Sequence, residues 1–139
     1  MSQAAVDLFL RGYRAFMAGD LGAIEGMLDP EVEWVGVGEA TTIADRADVL
    51  RVLGDRVTEG YHVTVDRCIG VGERVVVSMR FSRVERDATD ERPLQSRRYY
   101  LLGRYAAIVT TRDGRVTRVE EHSHLAGALA AVGLEEENL

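Results

Sequence analysis

Apolar residues recur every three or four positions over the first part of the chain, which predicts helices. The first helix covers residues 4–18 and has one wide buried stripe. Asp20 has the chemistry of an N-cap for a second, short helix, which ends at Asp29 because the residue before a proline is disfavoured in the α region. Asp45 is the matching N-cap candidate for a third helix that runs through Val57.

From Tyr61 onward the apolar period changes to two, which predicts strands. The predicted strands cover residues 31–35, 62–65, 73–86, 97–112 and 115–123. The pair Asp113-Gly114 joins the last two strands with a strong hairpin signal. Residues 87–96 form a polar connection, a turn is expected at 70–72, and 36–42 is expected to be a loop. A short closing helix is expected at 125–134, before an acidic tail.

Three helices with one short strand among them, followed by long strands, predict an α+β fold. The expected architecture is a cone in which three N-terminal helices pack on a strongly curved antiparallel sheet. No linker or repeat interrupts residues 1–139, so we expect a single domain. The mouth of such a cone can hold a small molecule.

Charge and composition exclude several classes of partner. The net charge is −6, and all 17 basic residues are arginines spread along the chain, so no basic patch is available for nucleic acid. The N-terminus has no basic leader and the apolar run 125–134 is too short for a bilayer, so we expect a cytoplasmic protein without a membrane partner. A single cysteine fits a reducing compartment, and the arginine bias fits a bacterial source.

The order of these elements resembles the nuclear-transport-factor-2-like superfamily, in particular its SnoaL-like branch, which includes polyketide cyclases and shares the ketosteroid isomerase fold. The resemblance rests on the opening helix pair, the first strand and the terminal hairpin. These segments are residues 13–21, 27–34, 105–114 and 115–121. The fold hosts isomerases, cyclases, epoxide hydrolases and binding modules, so the resemblance implies the fold more strongly than the reaction.

The resemblance also assigns candidate residues. Ketosteroid isomerases use acidic and tyrosine side chains where this chain has Gly12, Trp34 and alanine, which argues against that activity. Epoxide hydrolases of the limonene type use an arginine that matches Arg80, but Ser82 replaces their neighbouring aspartate. SnoaL-like cyclases need chiefly one carboxylate on the last strand, and Glu121 occupies that position.

Strand alternation places Thr117, Val119, Glu121 and Ser123 on one face of the last strand. By resemblance this face lines the cone, where a desolvated carboxylate can serve as an acid/base group. We therefore expect Glu121 to be catalytic, with Arg80 beside it as an orienting or enolate-stabilising group. The alternative is a buried ion pair between these two residues that only neutralises itself.

His122 and His124 lie two residues apart near the end of the same strand. They are candidate proton carriers at the mouth of the cone, and the alternative is a pair of rim or interface histidines that respond to pH. Their spacing is a weak signal for a metal, because no third histidine or cysteine lies close by in the sequence. We expect no metal and no cofactor.

The strand at 73–86 has a polar face with Ser78, Arg80 and Ser82, and an opposite face of large apolar residues. If the polar face lines the cone, the apolar face must be hidden by a second subunit, which predicts a homodimer through the sheet. The reverse assignment, with the apolar face towards the helices, remains open. Under the first assignment, both serines contact the substrate.

Several further side chains are candidate walls of a binding site. Trp34 and Tyr105 each offer a ring for stacking and a polar donor for orientation, and Tyr61 is a further candidate. Tyr13 is a candidate as well, although ordinary core packing accounts for its place on the stripe of the first helix. Val119 shares the face of the catalytic candidate on the last strand.

Taken together, these residues predict a cofactor-independent small-molecule enzyme of the SnoaL-like cyclase or isomerase type. Its expected partner is a small hydrophobic, oxygenated molecule. Two alternatives remain: a non-catalytic module for small-molecule binding or dimerisation, and an epoxide-hydrolase-like enzyme.

Overall fold

The computed structural model describes residues 2–36, 41–84 and 99–135. Four helices and six strands lie in these ranges. The helices are α1 (Ser2–Met17), α2 (Leu21–Met27), α3 (Arg46–Thr58) and α4 (Leu125–Ala131). The strands are β1 (Leu28–Val35), β2 (Thr42–Ala44), β3 (Tyr61–Val71), β4 (Arg74–Val84), β5 (Tyr99–Arg112) and β6 (Arg115–His122). The predicted α+β fold is confirmed.

The strands form one sheet in the order β2-β1-β6-β5-β4-β3. All neighbouring strands are antiparallel except β1 and β6, which run parallel, so the sheet is mixed. The parallel pair brings β1 beside β6, with Trp34 opposite Val119. This pairing places residues of β1 next to the catalytic candidate on β6.

The predicted local signals have the expected geometry. The Asp20 carboxylate accepts a hydrogen bond from the Ala23 amide at 3.1 Å, and the Asp45 carboxylate accepts one from the Asp48 amide at 2.9 Å. Each aspartate thus satisfies an amide that has no partner within its helix. In the β5–β6 hairpin, Asp113 and Gly114 have φ values of 52° and 77°, the left-handed conformations that a tight hairpin turn requires.

The main core lies between the first three helices and the inner face of the sheet. Buried residues of β4 and β5 on this face include Val75, Val77, Met79 and Ala107. On the opposite face, α4 covers a second cluster formed by Val76, Ala106 and Ile108 with its own Ala128 and Leu129. Both faces of the central strands are therefore covered by helices of the same chain.

The strands β1, β2 and β3 differ most from the sequence prediction, and the closing helix α4 ends at Ala131 rather than at residue 134. Strand β3 continues to Val71, so the turn begins at Gly72, where φ is +61°. Strand β1 begins at Leu28, before the Asp29-Pro30 pair. The short edge strand β2 lacks a predicted counterpart, because three residues are too few to establish a period.

The predicted connection at 87–96 lies outside the described residues, as does most of the acidic tail. None of the described helices combines the length and the hydrophobicity that crossing a bilayer requires.

Candidate active site

A cavity of about 470 Å³ lies between the helices and the inner face of the sheet. Its wall is built mainly of apolar side chains from α1, α2 and strands β4 to β6. The lining residues with polar groups are Tyr13, Trp34, Arg56, Tyr61, Arg104, Tyr105, Glu121 and Ser123. A few polar groups on an apolar wall are typical of small-molecule sites.

Strand β6 presents Val116, Val119 and Glu121 to the cavity. The prediction that Thr117 shares a face with Val119 is wrong, because the β5–β6 register shifts there: Val116 pairs with Thr111, whereas Arg118 pairs with Thr110. The extra residue resets the alternation of the strand. Beyond this bulge the alternation is regular, so Glu121 faces the cavity as expected.

Trp34 orients the carboxylate of Glu121. Its Nε1–H donates a hydrogen bond of 2.8 Å to Glu121 Oε1. The parallel pairing of β1 and β6 makes this bond possible, because it brings residues 87 positions apart in sequence onto neighbouring strands. A hydrogen bond to a charged acceptor is stronger than a neutral one, so the carboxylate is held in one direction.

Arg56 on α3 is the third polar residue of this group. Its Cζ atom lies 6.0 Å from the centroid of the Trp34 ring, within the range of a cation–π contact. A second cavity of about 260 Å³ is also lined by Trp34, Leu53, Arg56 and Glu121. The group of Trp34, Arg56 and Glu121, hereafter the polar triad, therefore borders both cavities.

Sequence reasoning missed Arg56. A signal was available, because Arg56 follows Leu53 by three positions and Val49 by seven, which places it on the buried stripe of α3. The side chain of an arginine at such a position points its charge towards the protein interior.

Tyr105 lines the larger cavity together with the polar triad. Burial and the negative charge of Glu121 raise the pKa of Tyr105 to about 12, whereas the charge of Arg56 acts in the opposite direction. Both charges are therefore close enough to affect the phenol. Its ring also packs edge-on against Phe81, with centroids 5.4 Å apart, and Phe81 in turn stacks on Tyr61 at 6.3 Å.

The structure brings together five residues predicted as walls of a binding site. Trp34, Tyr13, Tyr61, Tyr105 and Val119 all line the larger cavity. The hydroxyl of Tyr13 donates a 2.6 Å hydrogen bond to the Val63 carbonyl, so it ties α1 to β3. Their role in substrate binding stays a prediction.

The expected position of Arg80 beside Glu121 is wrong. Its guanidinium forms an ion pair with Asp66, with 2.9 Å between Nη2 and Oδ1, on the outer face of the sheet. Met79 and Phe81, which alternate with it, line the cavity instead. The inner face of β4 must cover the apolar sides of the helices, and only its apolar residues can do so.

Ser78 and Ser82 share the outer face with Arg80, so the expectation that they line the cavity is also wrong. The hydroxyl of Ser82 lies 3.4 Å from the His62 carbonyl on β3. The premise for a dimer was an apolar face of β4 left uncovered by this chain, and the helices cover that face. The homodimer itself stays a prediction.

The two histidines lie away from Glu121. His122 points to the outer face, where its Nε2 is 2.9 Å from Glu120 Oε2. The hydrogen bond with His122 is the main cause that lowers the pKa of Glu120, and a contact with Arg118 adds to it. His124 occupies the N-cap position of α4, is exposed and makes no capping bond with its side chain. Neither histidine lines the cavity, so the expected position at its mouth is wrong.

Residues 9–119 match the family model of the SnoaL-like domain. The chain belongs to the SnoaL-like domain family. The resemblance inferred from the helix pair and the terminal hairpin is thereby confirmed. No curated protein matches this SnoaL-like domain significantly.

Solved structures with the same fold include three that differ in what their names describe. Bal32a from a soil-derived mobile gene cassette is 18% identical, with a TM-score of 0.69 and coverage of 87% of this chain and 89% of that one. An LEH-like epoxide hydrolase from M. tuberculosis is 12% identical, with a TM-score of 0.68 and coverage of 94% and 90%. TerC, co-crystallised with polyporic acid, is 23% identical, with a TM-score of 0.65 and coverage of 93% and 98%. At these identities the likeness shows the fold alone.

Proposed function

We propose that this SnoaL-like domain is a cofactor-independent enzyme that moves protons on a hydrophobic, oxygenated small molecule. The observation that supports this proposal is the carboxylate of Glu121, the one acidic side chain among the described lining residues, which is held by Trp34 on an apolar cavity wall. An acid/base group must lie within hydrogen-bond reach of the proton that it takes, and a ligand in this cavity meets that condition.

The proposed reaction begins with a carbonyl compound. Glu121 takes a proton from the carbon next to the carbonyl: the C–H bond breaks, the proton moves to a carboxylate oxygen, and the electron pair moves towards the carbonyl oxygen to give an enolate. Return of the proton to a different carbon gives an isomer. Attack of the enolate carbon on a second carbonyl closes a ring, and the proton then neutralises the new alkoxide.

The hydrogen bonding of the carboxylate suits this role. Oε1 of Glu121 accepts from Trp34, whereas Oε2 has no hydrogen bond to any of the described residues. One oxygen thus fixes the orientation and the other is available to the ligand. Every step is a proton transfer or a carbon–carbon bond formation within one molecule, so the proposal requires neither a metal nor a redox cofactor.

The geometry favours this proposal over epoxide hydrolysis. The epoxide-hydrolase alternative relied on Arg80 as the arginine beside the carboxylate, and Arg80 is paired with Asp66 on the outer face of the sheet. Ser82, which replaces the aspartate of those enzymes, lies on the same outer face. A non-catalytic binding module would use the same cavity and would not need Glu121 as a base. Replacement of that carboxylate therefore separates an enzyme from a binding module.

The test uses 2-tetralone, an apolar ketone with an acidic C–H bond, in deuterated buffer. Proton NMR follows the loss of its α-proton signal with the wild-type protein, with Glu121→Gln, and with Glu120→Gln as the matched control. The control removes a neighbouring carboxylate on the opposite face of the same strand. We expect Glu121→Gln to lose about a hundred-fold or more of the enzyme-catalysed exchange rate, and the control to retain it.

Equal exchange rates for a folded Glu121→Gln protein and the wild type would refute the acid/base role. Binding of the ketone without acceleration in any variant would favour the binding module.

A further inference from the structure

The guanidinium of Arg56 has no hydrogen bond or ion pair with another described residue. Its contact is with the face of the Trp34 ring, at 6.0 Å from Cζ to the centroid. The residue is half-buried and lines both cavities. An arginine carries five N–H donors in a fixed planar arrangement. Among the described residues no buried side-chain nitrogen lacks a partner, so the unpaired donors of Arg56 are reached by solvent from the cavity side. Arg56 therefore offers donors to a ligand at the edge of an apolar space.

Glu121 does not satisfy these donors. The two side chains do not reach the 4.0 Å limit of an ion pair, and the carboxylate instead accepts from the indole edge. The Trp34 ring contacts both partners, with the cation over its face and the carboxylate at its Nε1 edge. Arg56 and Glu121 therefore border the same cavities without neutralising each other, and both can contact one ligand.

Other cations near the cavity are less suitable. Arg104 borders the larger cavity, but its side chain is exposed, so water screens its charge. Arg80 is paired with Asp66 outside the cavity. Arg56 is thus the half-buried cation available to a ligand among the described lining residues.

We propose that Arg56 binds an anionic oxygen of the ligand, so that the substrates of this site are apolar carbonyl compounds that carry a carboxylate or form an enolate. This inference rests on the proposed function of Glu121 and deepens it. When the carboxylate takes the proton from carbon, negative charge develops on the carbonyl oxygen, and Arg56 stabilises that charge. Planar guanidinium groups suit oxygen anions because two N–H bonds can be donated together.

The test compares two probes of equal shape, adamantane-1-carboxylate and adamantane-1-carboxamide. Trp34 is the single tryptophan of the chain, so its fluorescence reports binding at the polar triad. The wild-type protein at neutral pH should bind the carboxylate about ten-fold more tightly than the amide, the effect of one charge-assisted contact. The ratio of the two affinities is measured within each variant, which cancels general losses of stability.

Arg56→Gln should abolish the preference for the anion, and Arg56→Lys should retain part of it. Arg80→Gln is the matched control and should leave the ratio unchanged. Glu121→Gln should raise the ratio, because it removes a negative charge that repels the carboxylate.

Equal affinity of the wild-type protein for both probes would overturn the inference, whether or not the Arg56 variants fold. An unchanged ratio in folded Arg56→Gln, or an equal loss in Arg80→Gln, would also overturn it. The proposed function fails separately, through deuterium exchange that persists in Glu121→Gln. An anion preference combined with such persistence would retain the binding role of Arg56 and reject the enolate.

Discussion

Removal of the indole donor by Trp34→Phe tests the contact that orients the carboxylate. The phenyl ring keeps most of the apolar surface but has no N–H, so Glu121 Oε1 loses its hydrogen bond of 2.8 Å. A hydrogen bond to a charged group contributes about 1.5–3 kcal/mol when it is well buried. Both residues are half-buried, so we expect the lower part of that range.

The expected coupling between the two side chains is therefore about 1.5 kcal/mol. Because Trp34→Phe also changes packing, a double-mutant cycle with Glu121→Ala isolates the hydrogen bond from the volume change. The free energies of unfolding of the wild type, both single variants and the double variant are measured by urea denaturation. Circular dichroism follows the transition, since two of the four proteins lack the tryptophan.

The single variant Trp34→Phe should also slow deuterium exchange of 2-tetralone, because an unoriented base spends less time in the productive position. A coupling energy below about 0.3 kcal/mol, the level at which independent sites add, would refute the orienting contact. An unchanged rate of deuterium exchange in Trp34→Phe would show that Glu121 does not need the Trp34 hydrogen bond to act as a base.

Three other predictions follow from the cavity wall and the helix pair. The pKa of Tyr105 should be about 12, above its ordinary value of 10.0, so the free energy of unfolding should fall as the pH rises from 10 to 12. Glu121→Gln removes a negative charge that raises this pKa and should lower it in NMR titrations of labelled tyrosine. Gly103→Ala places a Cβ atom 3.2 Å from Phe81 Cε1, and urea denaturation should show a loss of about 1 kcal/mol, with no loss contradicting the contact. Gly26→Ala meets no atom within 4 Å in α2 and should stabilise the chain by about 0.5–1 kcal/mol in the same assay, and a loss would contradict the open space.

Local signals were sufficient to predict most elements of the fold. The helices followed from the apolar stripe and from the caps at Asp20 and Asp45, because both signals involve residues close in sequence. The hairpin at Asp113-Gly114 followed from turn chemistry for the same reason. The parallel contact of β1 with β6 depends on distant segments, and no short-range pattern contains it.

The faces of the strands were harder to predict. In β4 both faces are covered, one by the first three helices and the other by α4, so Val76 and Val77 are both fully buried and alternation does not identify the inner face. The bulge at Thr117 adds one residue to β6 without a sequence signal. Arg80 was consequently assigned to the wrong side.

Of the two charged groups in the candidate site, Glu121 could be predicted and Arg56 could not. Glu121 lies beyond the bulge on a regular part of β6, and its assignment rested on the family resemblance rather than on the pattern alone. Arg56 was missed because a charged residue near the end of a helix is ordinarily solvated, and only its distance of three positions from Leu53 indicated the interior. The contact of Arg56 on α3 with the Trp34 ring shows that its side chain faces the cavity side.

The central claim is that the carboxylate of Glu121 meets a ligand inside the cavity. Carbon NMR of side-chain-labelled glutamate during a titration with 2-tetralone tests it most directly, with Glu121→Gln and Glu120→Gln used to assign the two carboxyl signals. The account predicts a saturable shift of the Glu121 carboxyl carbon and an unchanged Glu120 signal. An unchanged Glu121 signal at saturating ketone, or equal shifts at both positions, would contradict it.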